Sequence, residues 1–193
     1  PYIITEHWTC YHKVVLPRPS WIQQLLTRLV ANKASLILPV SEDLAKAMRS
    51  TGIQTEMKVV YNVIDTSLFV PGDANLRKGN KIIHVSSLAR LQKNPSLLFS
   101  AFAELIQWNP DLQLHLVSDG DFSLFQEEIK QLNIEQHIVF HGTLEAKDIA
   151  ALLKESDLFV LTSRFENLPC VLIESISAGV PIVSTNVGGI SEI

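Results

Sequence analysis

The chain of 193 residues is 47% hydrophobic and 19% charged, a composition typical of a globular α/β protein with a substantial core. Its net charge of −4 argues against nucleic acid as the main partner, and no apolar run approaches the ~20 residues that a membrane-spanning helix needs. Two cysteines, Cys10 and Cys170, are too few for a disulfide framework or a metal site, and they predict a reducing, cytoplasmic setting.

The first part of the chain alternates strand and helix patterns. Apolar, β-rich runs predict strands at residues 2–5, 35–40 and 58–61. Two prolines predict that Lys13–Ser20 is a loop. An apolar stripe predicts a helix over Trp21–Asn32, and we expect this stripe to face the core. A second helix is predicted from Ser41, a favoured N-cap residue, to Ser50.

A turn-rich, polar segment, Pro71–Asn80, has the composition of a linker. Asn62 and Asp65 precede it and are interpreted as turn formers, because Asn and Asp side chains bond to nearby backbone. The sequence therefore predicts a first domain over residues 1–70, a linker over 71–80 and a second domain over 81–193.

The second domain opens with a predicted strand, Ile82–Val85, a polar loop that contains Arg90 and Lys93, and a helix, Pro95–Gln107. Cations at the carboxyl end of a strand suit a pyrophosphate, since Arg offers a planar fork of donors and Lys a point charge. The spacing alone is more typical of an ordinary solvated basic loop. Both interpretations stay open on the residues alone.

An Asp-Gly-Asp run at residues 119–121 follows the predicted strand Leu112–Val117. It has the form of a metal-binding Asp-x-Asp motif. Its place between a strand and a predicted helix, Phe122–Leu132, favours a turn at Gly120 and a helix cap at Asp121 instead. Five histidines have no spacing typical of metal ligands and are interpreted as structural: His12, His84, His115, His137 and His141. We therefore expect no metal site.

The segment that follows predicts further strand–helix units of a doubly wound sheet. A strand at His137–Phe140 and a helix at Ala146–Glu155 come first. A buried-type strand, Leu158–Leu161, then leads through a polar loop to a helix that has Pro169 at its first position and ends at Gly179. Pro181–Ser184 predicts the next strand. Ligands of such sheets bind at the carboxyl ends of the strands.

Two carboxylates stand out in that segment. Glu166 lies in the loop after the strand and Glu174 lies on the helix, with seven residues between them. An acid on such a helix is placed to accept hydrogen bonds from ribose hydroxyls, as acidic residues do in dinucleotide-binding folds. A Glu-x7-Glu pair by itself is more often two solvated acids.

The stretch S-R-F-E-N-L-P-C-V-L-I-E-S-I-S-A-G-V-P-I-V-S-T-N-V-G-G-I-S-E-I, residues 163–193, resembles the signature of family 4 glycosyltransferases. Members of that family are retaining enzymes with the GT-B fold. The resemblance covers the whole chain and is sharpest from residue 81 onward. It implies an α/β protein of two Rossmann-like domains, each a parallel sheet flanked by helices. Because the chain starts and stops inside such domains, we expect a fragment that lacks both ends.

The resemblance also implies roles for single residues. Glu166 would face the donor sugar and Glu174 the ribose. Lys93, with Arg90, would stabilise the departing diphosphate, although Ser87 stands where the family usually has Arg. His7, in Thr5-Glu6-His7, matches a segment near the acceptor and the donor sugar. The remaining expected donor contacts are Gly120, Asn167, Leu168 and Pro169. Asn167 stands where many members have Gly.

The implied function is a hexosyltransferase-type glycosyltransferase. It would transfer a sugar from a UDP- or GDP-sugar, bound in the cleft mainly by the second domain, to a hydroxyl of a glycan or lipid-linked acceptor. The expected process is polysaccharide or glycoconjugate biosynthesis, without a metal or other cofactor. The expected location is the cytoplasm, with peripheral association at the inner face of the plasma membrane as a further expectation from some family members.

Three alternatives remain. A sugar-nucleotide 2-epimerase of the same fold would need general acid–base residues, and only His7 and the two motif glutamates are candidates. A glycan phosphorylase would need a lysine that binds pyridoxal phosphate, and none is recognisable. A truncated chain would bind nucleotide sugar without turnover.

Overall fold

The computed structural model describes residues 1–12, 19–73, 75 and 77–193. The predicted loop at Lys13–Ser20 therefore lies mostly outside the described residues. The chain folds into two compact units. Unit 1 consists of Pro1–Val63, Phe165–Pro169 and Asn186–Ile193, and unit 2 consists of Ile64–Arg164 and Cys170–Thr185. Two short segments from late in the sequence thus belong to the first unit, while the boundaries predicted from the sequence stay a prediction.

Unit 1 is built on two parallel strands, β1 (Ile3–Glu6) and β2 (Leu36–Pro39). One helix follows each strand, α1 (Trp21–Ala31) and α2 (Glu42–Ser50). The predicted cap of α2 is confirmed, because the Ser41 hydroxyl accepts a hydrogen bond from the Leu44 N–H at 3.0 Å. Such a bond satisfies one of the N–H groups that a helix leaves unpaired in its first turn.

The predicted strand at residues 58–61 is extended chain rather than a regular strand. The Lys58 N–H donates to the Ile37 carbonyl and the Val60 N–H to the Pro39 carbonyl, both at 3.0 Å. A single isolated bridge joins Ile37 to Met57. The segment therefore runs alongside β2, but its pairing is too short to form a continuous ladder.

The apolar stripe of α1 is exposed, so the expectation that it faces the core is wrong. Trp21 is 74% exposed, and Ala31 is the residue of this helix that is buried. The other exposed members of the stripe are Ile22, Leu25, Leu26, Leu29 and Val30. The physical reason is the size of the sheet. Two short strands offer too little surface to cover three turns of helix.

Unit 2 contains a five-stranded, wholly parallel sheet in the order β5-β4-β3-β6-β7. Its strands are β3 (Lys81–Val85), β4 (Gln113–Val117), β5 (Ile138–Gly142), β6 (Leu158–Leu161) and β7 (Ile182–Ser184). Its helices are α3 (Arg90–Lys93), α4 (Pro95–Trp108), α5 (Gln126–Gln131), α6 (Ala146–Lys154) and α7 (Cys170–Ser177). The doubly wound pattern predicted from the sequence is thus present in this unit.

Three helix boundaries differ from the predicted ones. The predicted basic loop contains a single helical turn, α3. The predicted helix over residues 122–132 divides into a 3-10 turn, Phe122–Phe125, and α5, because the Asp121 side chain caps the tighter turn at Ser123. Helix α7 begins at Cys170, so Pro169 immediately precedes it, where a missing N–H costs no helical hydrogen bond.

The core of unit 2 lies between the sheet and α4. Phe99 and Phe102 of α4 are fully buried with Leu114 and Leu116 of β4. The Phe99 ring meets that of Phe125 edge to face, with centroids 5.7 Å apart. Aromatic pairs of this geometry add to the stabilisation that burial supplies. This packing holds the 3-10 turn after β4 against α4.

His84 is the fully buried histidine of β3. Its Nδ1 lies 2.8 Å from the Val160 carbonyl and its Nε2 lies 2.7 Å from the Ser86 hydroxyl. Burial lowers the pKa of His84 from 6.5 to about 4, and the charge of Lys93 adds to that decrease. The imidazole is therefore neutral in the folded protein at pH values where the unfolded chain is already protonated.

Because the unfolded state binds the His84 proton first, the free energy of unfolding should be fully retained above pH 6.5 and fall as the pH drops towards 4. This single group accounts for up to about 3 kcal/mol of that loss. Urea unfolding at pH 7 and pH 5 measures it. The variant His84→Gln should lose part of the dependence, because burial also lowers the pKa values of His115 and His141 and these two histidines keep the rest. The control His137→Gln should keep the full dependence. An unchanged dependence in His84→Gln would contradict the assignment.

Candidate functional site

The strand order of unit 2 marks where its ligand site is expected. The order reverses between β3 and β6, which pair directly through Ile82 with Leu158 and Ile83 with Phe159. In open α/β sheets, ligands bind outside the carboxyl ends of the strands at such a reversal. The loops that follow β3 and β6 carry the residues that the sequence singled out.

The loop after β3 has an unusual backbone. Leu88 and Asn94 both adopt the left-handed conformation, with φ of 54° and 51°, and they flank the α3 turn. The Ser86 hydroxyl accepts the Leu88 N–H at 3.1 Å, and Leu88 itself is buried. A buried leucine in this conformation is strained, and strain of this kind is concentrated at functional sites.

The loop after β6 holds that turn in place. The Thr162 hydroxyl lies within hydrogen-bond distance of the carbonyls of Lys93 and Asn94, at 3.0 and 3.2 Å. The Arg164 N–H donates to the Gln92 carbonyl at 2.7 Å, and its guanidinium donates to the Asn94 side chain at 2.9 Å. The backbone at Lys93 is therefore fixed by residues about seventy positions further along the chain.

The two predicted cations have different surroundings. Lys93 is half-buried at the end of α3, close enough to His84 for its charge to lower the pKa of that imidazole. Arg90 is exposed, and its guanidinium lies 4.7 Å from the centroid of the Phe125 ring. It also donates a hydrogen bond to the Leu124 carbonyl. The structure thus associates Lys93 with the carboxyl end of β3 and Arg90 with the turn after β4.

Gly120 lies at a close approach between the loops after β3 and β4. A Cβ atom at this position would lie 2.3 Å from the Ser87 carbonyl oxygen, so no larger residue fits. The Ser118 hydroxyl accepts the Gly120 N–H at 2.9 Å. The adjacent Asp121 is a helix cap, as predicted, and its bonds to Ser123 lower the pKa of its carboxyl group. Glycine is thus required here by close packing.

Glu174 lies on α7, one turn after its start, and is half-buried. Burial raises the pKa of its carboxyl group above the usual value. A carboxylate that has lost part of its water gains more from a hydrogen-bond donor than an exposed one does. The group therefore suits hydroxyl ligands.

The other motif glutamate belongs to unit 1. Glu166, Asn167 and Leu168 are all buried, with at most 5% exposure. The Asn167 amide donates to the His7 carbonyl at 2.6 Å, and its Oδ1 lies 2.8 Å from His12 Nε2. The backbone of His7 is therefore hydrogen-bonded to the residue that follows Glu166, while the His7 side chain itself is exposed.

Two contributors to this arrangement were missed from the sequence. His12 was interpreted as structural, and it contacts Asn167 across 155 residues of chain. Asn62 was interpreted as a local turn former, but its side chain donates to the Leu168 carbonyl at 2.6 Å. Asp65 does form the predicted local turn with Ser67. No spacing in the sequence signals either of the long-range partners.

Within residues 1–12, 19–73, 75 and 77–193, no three His, Cys, Asp or Glu side chains converge in a way that would hold a metal ion. In the same part of the chain, no helix is both long and apolar enough to cross a membrane.

The second part of the chain matches a known protein family. Residues 71–193 match the model of the family described as glycosyl transferases group 1. The chain belongs to this family. N-acetyl-alpha-D-glucosaminyl L-malate synthase of Bacillus anthracis is 33% identical over 147 residues, which cover 72% of this chain and 38% of that relative. This group 1 chain therefore spans well under half of that relative's length.

Solved structures agree on the fold. Sucrose-phosphate synthase from Thermosynechococcus elongatus superposes with a TM-score of 0.85 at 18% identity, over 98% of this chain and 51% of that one. The pneumococcal O-GlcNAc transferase GtfA, in complex with UDP and GlcNAc, gives a TM-score of 0.74 at 21% identity, over 96% of this chain and 37% of that one. The predicted fold class, α/β of the GT-B type, is confirmed.

The hydroxyl of Thr162 should contribute measurably to the stability of the loop that holds Lys93. Thr162→Val keeps the shape of the side chain but removes the donor to two backbone carbonyls, so the free energy of unfolding should fall by about 1 kcal/mol. Thr162→Ser keeps the hydroxyl and should lose less. Urea denaturation of the three proteins measures the difference, and equal stability of the Val variant and the wild type would contradict it.

Proposed function

We propose that the protein is a retaining glycosyltransferase of family 4 that transfers a sugar from a nucleotide-diphosphate donor to an acceptor hydroxyl. The observation that carries this is the arrangement at the β3–β6 reversal in a chain of the group 1 family. There, a half-buried lysine follows one strand and a half-buried glutamate lies on the helix after the other. The lysine suits the diphosphate of a nucleotide, and the glutamate suits the ribose of the same nucleotide.

The proposed chemistry needs charge stabilisation at the leaving group. The bond between the sugar's anomeric carbon and the diphosphate breaks, and its electron pair stays with the diphosphate oxygen. The acceptor oxygen then bonds to the same face of the sugar, and its proton passes to the departing diphosphate. Because negative charge grows on that diphosphate, fixed donors aimed at it lower the barrier.

Within this scheme Lys93 is the main donor to the diphosphate. Its backbone is already fixed by Thr162 and Arg164, so little reorganisation is needed when the nucleotide binds. Arg90 stays a second candidate donor, although its guanidinium contacts Phe125 and the Leu124 carbonyl in this structure.

The remaining assignments rest on the family resemblance. Glu174 is proposed to accept hydrogen bonds from the ribose, and Glu166 and His7 to contact the donor sugar. Gly120, Asn167, Leu168 and Pro169 are proposed as further donor contacts. The chemistry as proposed uses neither a metal nor another cofactor.

The identity of the donor is proposed from chemistry and from relatives. UDP is bound in the pneumococcal relative, which supports UDP as the first nucleotide to test, with GDP as the second. We propose a glycan or lipid-linked acceptor and a role in polysaccharide or glycoconjugate biosynthesis. The exposed apolar stripe of α1 is compatible with the proposed peripheral membrane association, and a 2-epimerase stays the second enzymatic candidate.

Lys93→Ala in the complete protein should reduce kcat by about 10²–10³, the usual cost of losing one donor to a developing oxyanion. Lys93→Arg should recover part of the rate, because it restores the charge with a different geometry. Release of UDP or GDP from a sugar nucleotide measures kcat. Lys130→Ala, on the exposed end of α5, serves as the control. Equal turnover in Lys93→Ala and the wild type would overturn the role of Lys93.

A nucleotide that this chain binds should raise its melting temperature. At 100 times the dissociation constant, a ligand adds about 2.7 kcal/mol to the stability of the folded state. We expect a shift with UDP or GDP and a smaller one with ADP, and Glu174→Ala should abolish it. Glu104→Ala, on the helix α4, is the matched control. A cooperative melt without any shift would contradict nucleotide binding by this chain.

A further inference from the structure

Asn167 is a buried side chain whose polar groups are both engaged. It is 5% exposed. Its Nδ2 donates to the His7 carbonyl, which can only accept, and this fixes the orientation of the amide. Its Oδ1 must then accept the hydrogen of His12 Nε2, 2.8 Å away. The amide therefore joins two separate points of the segment between β1 and α1.

His12 is held on its other side as well. Its Nδ1 lies 3.5 Å from the Asp43 carboxylate, at the first turn of α2. The imidazole thus lies between the amide of Asn167 and an acid anchored on a helix. His12 therefore connects Asn167, through the hydrogen bond of its Nε2, to the neighbourhood of α2.

The backbone around Asn167 is equally constrained. Its carbonyl accepts the Gly189 N–H at 2.9 Å, and the next carbonyl, that of Leu168, accepts from Asn62. A Cβ atom on Gly188 would lie 1.9 Å from the Glu166 carbonyl oxygen, so the two segments are in direct contact. The position of the Glu166 backbone is therefore fixed from several directions within unit 1.

We propose that Asn167 and His12 are positioning residues that set the geometry between His7 and Glu166. This inference rests on the proposed function, in which His7 and Glu166 contact the donor sugar. A glycine at this place would have no amide and would make neither bond. The Asn167 side chain thus holds the Glu166 loop next to the carboxyl end of β1 by a hydrogen bond that a glycine cannot make.

We expect the loss of these hydrogen bonds to lower the reaction rate rather than the affinity for the nucleotide. Displacement of a group by about 1 Å from its reacting partner lowers rates by as much as ~10²-fold. We assign nucleotide binding mainly to Lys93 and Glu174, and the donor contact proposed for Asn167 is made by its backbone N–H, so it requires neither the Asn167 amide nor His12. Their loss should therefore lower kcat and leave the nucleotide-induced shift of the melting temperature unchanged.

The test compares graded variants of the complete protein. Asn167→Ala removes both hydrogen bonds, and Asn167→Asp keeps the acceptor for His12 but places an oxygen against the His7 carbonyl. Both should lower kcat by about 10- to 100-fold. His12→Gln keeps an N–H donor and should retain more activity than His12→Ala. The rate is the release of UDP or GDP from UDP-glucose, UDP-N-acetylglucosamine or GDP-mannose.

Asn32 provides a matched control. It lies in the same unit and also makes two amide hydrogen bonds, to the Gly52 carbonyl and from the Gln54 N–H. Asn32 is exposed, so Asn32→Ala should lose less stability in urea than Asn167→Ala, and it should keep kcat. The pair separates a positioning effect from a general loss of stability.

A double-mutant cycle tests whether Asn167 acts through His7. If Asn167 acts through His7, Asn167→Ala should cost little further activity in a His7→Ala background. Additive losses would overturn the inference, and so would equal kcat values for Asn167→Ala and Asn32→Ala. Neither result would contradict the proposed function. Absence of nucleotide release by the wild type with all three donors would overturn the proposed function, and the inference with it.

Discussion

The parallel pairing of β3 with β6 is the constraint on which the rest of unit 2 depends. The two strands are more than seventy residues apart, and their pairing places the loops at their carboxyl ends side by side. Once they are adjacent, Thr162 and Arg164 can bond to the carbonyls of Gln92, Lys93 and Asn94. Those bonds offset the strain of two left-handed residues and hold the lysine in one place.

A different kind of constraint operates in unit 1. Among the residues that the structure describes, the sheet of this unit has two strands, so apolar burial contributes less, and polar side chains hold the late segments in place. Asn167 donates to the backbone near the start of the chain, and Asn62 donates to the backbone of the late segment. The Glu192 carboxylate accepts a backbone N–H from the first part of the chain. A buried amide is costly unless both its donor and its acceptor are satisfied. The arrangement around Glu166 is therefore specific, and it is sensitive to single substitutions.

The two units also show why catalytic and structural roles are difficult to separate by residue type. Gly120 is required by a close approach to Ser87, and Asp121 caps a turn. Neither observation requires a ligand. By contrast, the raised pKa of Glu174 and the half-burial of Lys93 leave charged groups partly removed from water, a state that is common at binding sites.

The sequence by itself determined the five strands of unit 2 and its helices α4, α6 and α7, the capping residues Ser41 and Asp121, and the family signature around Glu166 and Glu174. These features are local, since they follow from periodicity, capping and turn chemistry over a few residues. Only the tertiary structure decided that Arg90 lies over Phe125, that the stripe of α1 is exposed, and that Asn167 contacts His7 and His12. Such contacts join residues that are tens to more than a hundred positions apart, and no local pattern specifies which distant group will lie opposite a given side chain.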